Sequence, residues 1–248
     1  MFSITRIYRK LFCRKGYGVH SPFVFDLITH VIEEKCHFYS YLDISLTRIQ
    51  LFQNEQFVYY RGKRITVKKA FRQYGISNKE GELLFRLTNY FKPHTILCIG
   101  SSLGLTPLYL SRYDSTVQCI TLECEPDFTA IATHFLGKEK NSSLQILTGS
   151  YLVTLPESIM QLQQIDCIYI SKDVEINDLA EIFQQCLPFI HNTTFCVLAG
   201  IRSSSEKYHY WKQLCQHPSI TVTIDLFYTS ILFFQPNLNN RVYETILL

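Results

Sequence analysis

From residue 95 to residue 216, short apolar runs alternate with stretches whose apolar residues fall at helical spacing, and this alternation constrains the fold more than any other feature. The runs lie at 95–100, 117–123, 144–148, 166–171 and 194–199. Each is too brief for a helix and largely apolar along its length, the pattern of a strand covered on both faces. Between and after them, 103–112, 126–136, 151–162, 176–187 and 205–216 read as helices. Helical crossovers of that size join parallel neighbours by right-handed connections, so a parallel sheet is expected. The alternation then breaks: 220–226 and 230–234 are two strands separated only by Phe227-Tyr228-Thr229. So short a link joins antiparallel strands only, and the last strand is expected to run against the others.

Ahead of the sheet, Ser77-Asn78-Lys79-Glu80 has the form of a capping box, opening a helix that carries Leu83, Leu84, Leu87 and Tyr90 and stops at Pro93. A boundary at Tyr74-Gly75 divides the chain into an N-terminal helical extension, 1–75, and a main domain, 76–248. In the extension, Ser21 and Pro22 suit the cap and first turn of a helix over 22–34; 42–52 and 67–73 also read as helices, and 56–64 as extended or loop. Residues 1–12 form an amphipathic helix with Phe2, Ile4, Ile7, Tyr8 and Leu11 against basic neighbours. Such a helix docks on its own domain or on a partner, or else lies on a membrane surface.

A chain of 248 residues, 47% hydrophobic and 18% charged, buries a sizeable core. The net charge of +3 is concentrated in Arg6, Arg9, Lys10, Arg14 and Lys15, and the near balance elsewhere does not demand nucleic acid as a partner. No apolar run approaches the roughly 18 residues of a membrane span. Nine cysteines without a CxxC pair, an odd number with no secretory signal, point to reduced thiols and a cytoplasmic protein. The eight histidines show no zinc-ligand spacing and there is no Gly-x-Ser-x-Gly elbow, which sets hydrolytic chemistry aside.

The turn after the first sheet strand, Ile99-Gly100-Ser101-Ser102-Leu103-Gly104, is glycine-punctuated and leads into a helix. In an open α/β sheet this is the edge where ligands bind, and glycine lets backbone approach them closely. An ordinary strand-to-helix turn would look the same. The turn lacks the two glycines separated by one residue that seat a pyrophosphate, which disfavours a nicotinamide-dependent dehydrogenase.

Five alternating units, the glycine turn and the two-strand finish together resemble the class I S-adenosylmethionine (SAM)-dependent methyltransferases. Gly18-Val19-His20-Ser21-Pro22-Phe23, the turn at 99–104 and Thr221-Val222-Thr223-Ile224-Asp225-Leu226-Phe227 resemble, more narrowly, Bacteroidetes-type (O-)methyltransferases. The resemblance implies a Rossmann-like open sheet of seven strands in the order 3-2-1-4-5-7-6, SAM as cofactor and a small-molecule methyl acceptor. It implies cofactor contacts from Gly100, Ser101, Ser102, Gly104, Glu123, Gly149, Ser150 and Ser171. Glu123 would grip the ribose hydroxyls and Gly149-Ser150-Tyr151 would meet the adenine. On the acceptor side His20, Lys172, Asp173 and Arg202 are the candidates. The chain also departs from the pattern: Cys98, Ser171 and Ala199 stand where carboxylates are usual, so the hard-oxygen set of a magnesium or calcium site is lacking and catalysis without metal is expected. The same losses leave open a second reading, a degenerate relative that keeps the fold and serves as a binding or regulatory partner.

Overall fold

The computed structural model describes residues 2–137, 143–238 and 240–247. The N-terminal region comprises α1 (Phe2–Phe12), α2 (Pro22–Leu27) running into a wider π-type turn at Ile28–Ile32, α3 (Ser40–Gln53), β1 (Phe57–Tyr60), β2 (Lys63–Thr66) and α4 (Val67–Tyr74). The expected helix 1–12 is α1, with Met1 outside the described residues. Ser21 accepts the Val24 N–H and Pro22 opens α2, as the sequence predicts.

The extension is not wholly helical. β1 and β2 pair as an antiparallel hairpin about Arg61 and Gly62, whose φ values of 48° and 73° are the two left-handed residues of a type I′ turn. Thr66 then caps α4 by accepting the Lys69 N–H.

The main domain follows as α5 (Asn78–Phe91), β3 (Thr95–Ile99), α6 (Leu105–Ser111), β4 (Gln118–Glu123), α7 (Pro126–Leu136), β5 (Leu144–Thr148), α8 (Tyr151–Leu162), β6 (Cys167–Ile170), α9 (Ile176–Cys186), β7 (Phe195–Ala199), α10 (Ser205–Leu214), β8 (Val222–Asp225), β9 (Thr229–Phe233) and β10 (Arg241–Glu244). Ser77 caps α5 through the Glu80 N–H. The sheet order is β10-β8-β9-β7-β6-β3-β4-β5. Seven of these strands stand in the expected order, and β9 runs antiparallel between β7 and β8. The expected count of seven is corrected to eight by β10, which pairs parallel with β8 at the edge. Its sequence, Arg-Val-Tyr-Glu, is short, polar and exposed, so no apolar run announces it.

Alternation along each strand divides the core between two faces. Ile96, Cys98, Cys119, Tyr169 and Val197 pack beneath helices α2 to α7, and Leu97, Ile99, Ile120, Ile168, Ile170 and Leu198 pack against α8, α9 and α10. Val24, Leu27, Ile44 and Val67 of the N-terminal region belong to the first of these clusters, so that region and the main domain share one continuous apolar interior. Among the described residues, no helix is long and apolar enough to cross a membrane.

Candidate functional site

β3 and β4 are parallel neighbours, and their carboxyl ends are tied together atom by atom. The Gly100 N–H donates to the Leu122 carbonyl at 2.9 Å. Gly100 has φ +92°, and a Cβ there would stand 2.5 Å from that of Ser171 at the end of β6, so only glycine allows the three strand ends to close up. Beyond it the backbone coils tightly: the Ser101 carbonyl accepts the N–H groups of both Gly104 and Thr106.

Glu123 closes β4 and is only 4% exposed. One carboxylate oxygen accepts the Ser101 N–H at 3.1 Å and the Ser101 hydroxyl at 2.5 Å, and the other accepts the Glu125 N–H at 3.2 Å. Burial pushes this carboxyl above the usual range, and the donated hydrogen bonds only partly offset it.

Gly100, Ser102, Glu123, Ser171 and Asp173 line one cavity of about 180 Å³. Its remaining walls are aromatic and acidic: Tyr60, Tyr74, Phe128 and Tyr151 on one hand, and Glu125, Glu175 and Asp178 on the other, with Arg61 at the mouth. Tyr60 stacks on Phe128 at 5.0 Å between ring centroids and meets Tyr74 at 3.9 Å. The hairpin that carries Tyr60 is fastened across the opening. The Tyr59 N–H donates to Asp127 at 2.5 Å, the Arg61 N–H to Glu125 at 3.1 Å, and the Arg61 guanidinium to the Asp173 carbonyl at 3.0 Å.

A second cavity, of about 510 Å³, shares Tyr60, Arg61, Tyr74, Asp173 and Glu175 with the first and adds Lys172, Ser204, Glu206 and Lys207. Burial raises the Asp173 carboxyl above its ordinary range against the pull of Lys172, Lys207 and Arg61. Burial likewise holds the Lys207 ammonium below the usual lysine range.

The other sequence candidates lie elsewhere. Ser101 and Gly104 hold the loop from behind: Ser101 is buried on Glu123, and a Cβ at Gly104 would stand 2.9 Å from the Ala132 backbone of α7. Gly149 donates its N–H to the Glu123 carbonyl and Ser150 opens α8; neither lines the cavities, whereas their neighbour Tyr151 does. His20 is exposed and lines neither cavity. The Arg202 guanidinium is buried in a bidentate pair with Asp225, at 2.8 and 2.6 Å, where that carboxylate holds it away from the site. Cys98 is wholly buried in the sheet. Among the described residues, no three His, Cys, Asp or Glu side chains are grouped so as to hold a metal ion.

Missing from the sequence reading were Tyr60, Arg61, Tyr74, Phe128 and Lys207. The one signal for the first pair was the glycine at 62 between two β-prone runs, without the Asn or Asp that makes a hairpin plain.

This architecture, a Rossmann-like mixed sheet with a glycine turn and a carboxylate at the end of the adjoining strand, is a fold shared with several solved methyltransferases. Solved structures that share it include an O-methyltransferase from Bacillus cereus in complex with SAH, at TM-score 0.58 and 15% identity over 85% of this chain and 97% of that one. The O-methyltransferase TomG from Streptomyces achromogenes, involved in tomaymycin synthesis and solved with SAM, matches at TM-score 0.57 and 14% identity over 86% and 95%. A methyltransferase from Geobacter sulfurreducens matches at TM-score 0.58 and 12% identity over 82% and 92%. No protein-family model matches the sequence, and no curated protein matches it either. The narrower Bacteroidetes-type resemblance rests on the sequence motifs alone.

Proposed function

We propose that the cavity at the carboxyl ends of β3, β4 and β6 binds SAM and that the chain transfers its methyl group, without a metal, to a small molecule in the adjoining cavity. The observation that carries this reading is the pairing of Gly100 with Glu123. One leaves backbone bare at the cavity wall and the other offers a buried carboxylate beside it, the two groups a nucleoside needs at this edge of such a sheet. Glu123 takes three donors from its own turns, but a carboxylate has about four acceptor sites, which leaves one for a ribose hydroxyl. The acidic lining suits a ligand that carries sulfonium and ammonium charges. The ligands of the Bacillus cereus and Streptomyces achromogenes structures agree with it.

When bound, the cofactor supplies an activated methyl group, and what remains for the protein is to align the acceptor with it. Asp173 and Lys172 stand on the acceptor side, where Asp173 can take or share an acceptor proton. Serine at 171 and alanine at 199 supply no hard-oxygen pair, which supports chemistry without a metal ion. We take 1–75 as an extension that covers the site of 76–248, and nine cysteines free of disulfides support a cytoplasmic setting.

One feature favours the second reading, a degenerate binding protein. The cavity of about 180 Å³, with Tyr60 and Tyr151 among its walls, is smaller than the roughly 300 Å³ at which ligand pockets begin. Calorimetric titration separates the two. Heat of binding with a micromolar-range Kd for SAM and for its demethylated product, weakened about tenfold or more in Glu123→Gln, is the expected result. No heat from the native chain at saturating SAM overturns the enzyme reading, and binding regained only in Tyr60→Ala identifies the degenerate form.

A further inference from the structure

α1 is seated with its apolar side outward. A step of about 100° per residue gathers Ile4, Ile7, Tyr8, Leu11 and Phe12 into one arc of about 140°. All five are exposed, Ile4 at 78%, Leu11 at 67% and Phe12 at 62%. The residue facing the protein is a cation. Arg9 is 1% exposed, and its guanidinium pairs with the buried Asp225 at 2.8 Å and with Glu244 at 2.7 Å. At the residue directly after the helix, the Thr245 hydroxyl donates to the Cys13 carbonyl at 2.8 Å. An amphipathic helix that merely covered a core would show the reverse order, arginine outward and leucine inward.

We propose that α1 is a docking element for an anionic lipid surface. Its charge selects that occupant. Lys10 is exposed on one flank of the apolar arc and Lys15 just past the end of the helix, while Arg6 lies behind the arc, over the Tyr228 ring at 5.7 Å, and no acidic residue occurs in the sequence before Asp26. The Arg9 anchor keeps the one remaining cation of the helix out of the apolar arc. Tyr8 and Phe12, in contact at 5.1 Å between centroids, supply the aromatic groups that settle at a headgroup boundary. A second copy of the chain is the poorer occupant, since pairing α1 with its own copy brings Lys10 and Lys15 toward like charges with no acidic residue nearby in sequence to offset them. A helix of 11 residues by itself binds such a surface weakly and reversibly, and the association is sensitive to salt.

The test is flotation of the full chain with phosphatidylcholine vesicles containing phosphatidylglycerol, beside vesicles of phosphatidylcholine alone. The chain is expected to float with the anionic vesicles at least about tenfold better than with the neutral ones, and to be released by added salt. Leu11→Glu is expected to lower recovery about tenfold and Lys10→Glu about fivefold or more, with unchanged far-ultraviolet dichroism, since both positions are exposed. Equal recovery on the two vesicle types, or none on either, overturns the proposal. So does a concentration-dependent dimer in sedimentation that Leu11→Glu abolishes without any effect on flotation, which would assign the face to a second copy.

Discussion

The Asp225 carboxylate accepts hydrogen bonds from Arg9, Arg202 and the Phe227 N–H. It is fully buried, and burial alone would raise its pKa, but hydrogen bonds from Arg202 and Arg9 outweigh this and hold it below the ordinary aspartate range. A carboxyl lowered in this way contributes stability that is complete above its unfolded pKa, about 3.9, and is lost as pH falls through the lower, folded value. Acid is therefore expected to loosen α1 and the β8–β9 turn together below about pH 4, which fluorescence of Trp211, stacked beside Arg202, can follow. Asp225→Asn leaves two buried guanidiniums short of a counter-charge and is expected to cost about 3–5 kcal/mol in urea unfolding. Nothing local in Thr221-Val222-Thr223-Ile224-Asp225 forecast this, because Arg9 lies 216 positions away. Gly100 and Glu123, by contrast, were legible: each closes an apolar run, so sequence alone puts them at strand ends. Arg202 also follows a strand, yet its side chain turns to the buried carboxylate, a choice that only the tertiary arrangement reveals.

Among the elements, the five strand-and-helix units were readable because the strands are short, largely apolar runs and a helical pattern follows each of them. The β1–β2 hairpin and β10 were not: each strand has only four residues, β2 and β10 are rich in polar residues, and aromatic β1 alternates between exposed and buried positions. The π-type turn at Ile28–Ile32 likewise leaves no mark in a pattern whose apolar spacing stays near-helical through it. The hairpin matters most for function. It is held to the sheet by few bonds, and its tip depends on the hydrogen bonds of Arg61 to Glu125 and Asp173 and an ion pair with Glu175 at 3.4 Å. Arg61→Ala retains the backbone N–H and removes the side-chain tethers, so faster hydrogen exchange confined to 57–66 is expected, with little change in global stability. Exchange spread through β3 and β4 would show instead that the hairpin supports the sheet.

For the molecule as a whole, the two faces of the sheet are unequal. One is covered by α8, α9 and α10, the other by helices drawn from both the N-terminal region and the main domain. Most of the cysteines lie in this interior. Cys98, Cys119, Cys167, Cys186 and Cys196 are buried, and burial raises the pKa of each thiol, while Cys36 is exposed. A disulfide reagent added to the native protein is expected to titrate Cys36 promptly and those five only after unfolding; prompt reaction of all nine would contradict this packing. The aromatic wall of the cavity escaped the sequence reading for the same reason that the interior is shared: it joins residues near 60 to residues near 125 through a contact with no short-range trace. The seating of Arg9 has a consequence for synthesis. Its partners Asp225 and Glu244, and the Thr245 that holds Cys13, leave the ribosome more than two hundred residues after it does. Throughout translation of the sheet the first helix has no seat, so the orientation that turns its greasy side outward is set only when β8 and β10 emerge.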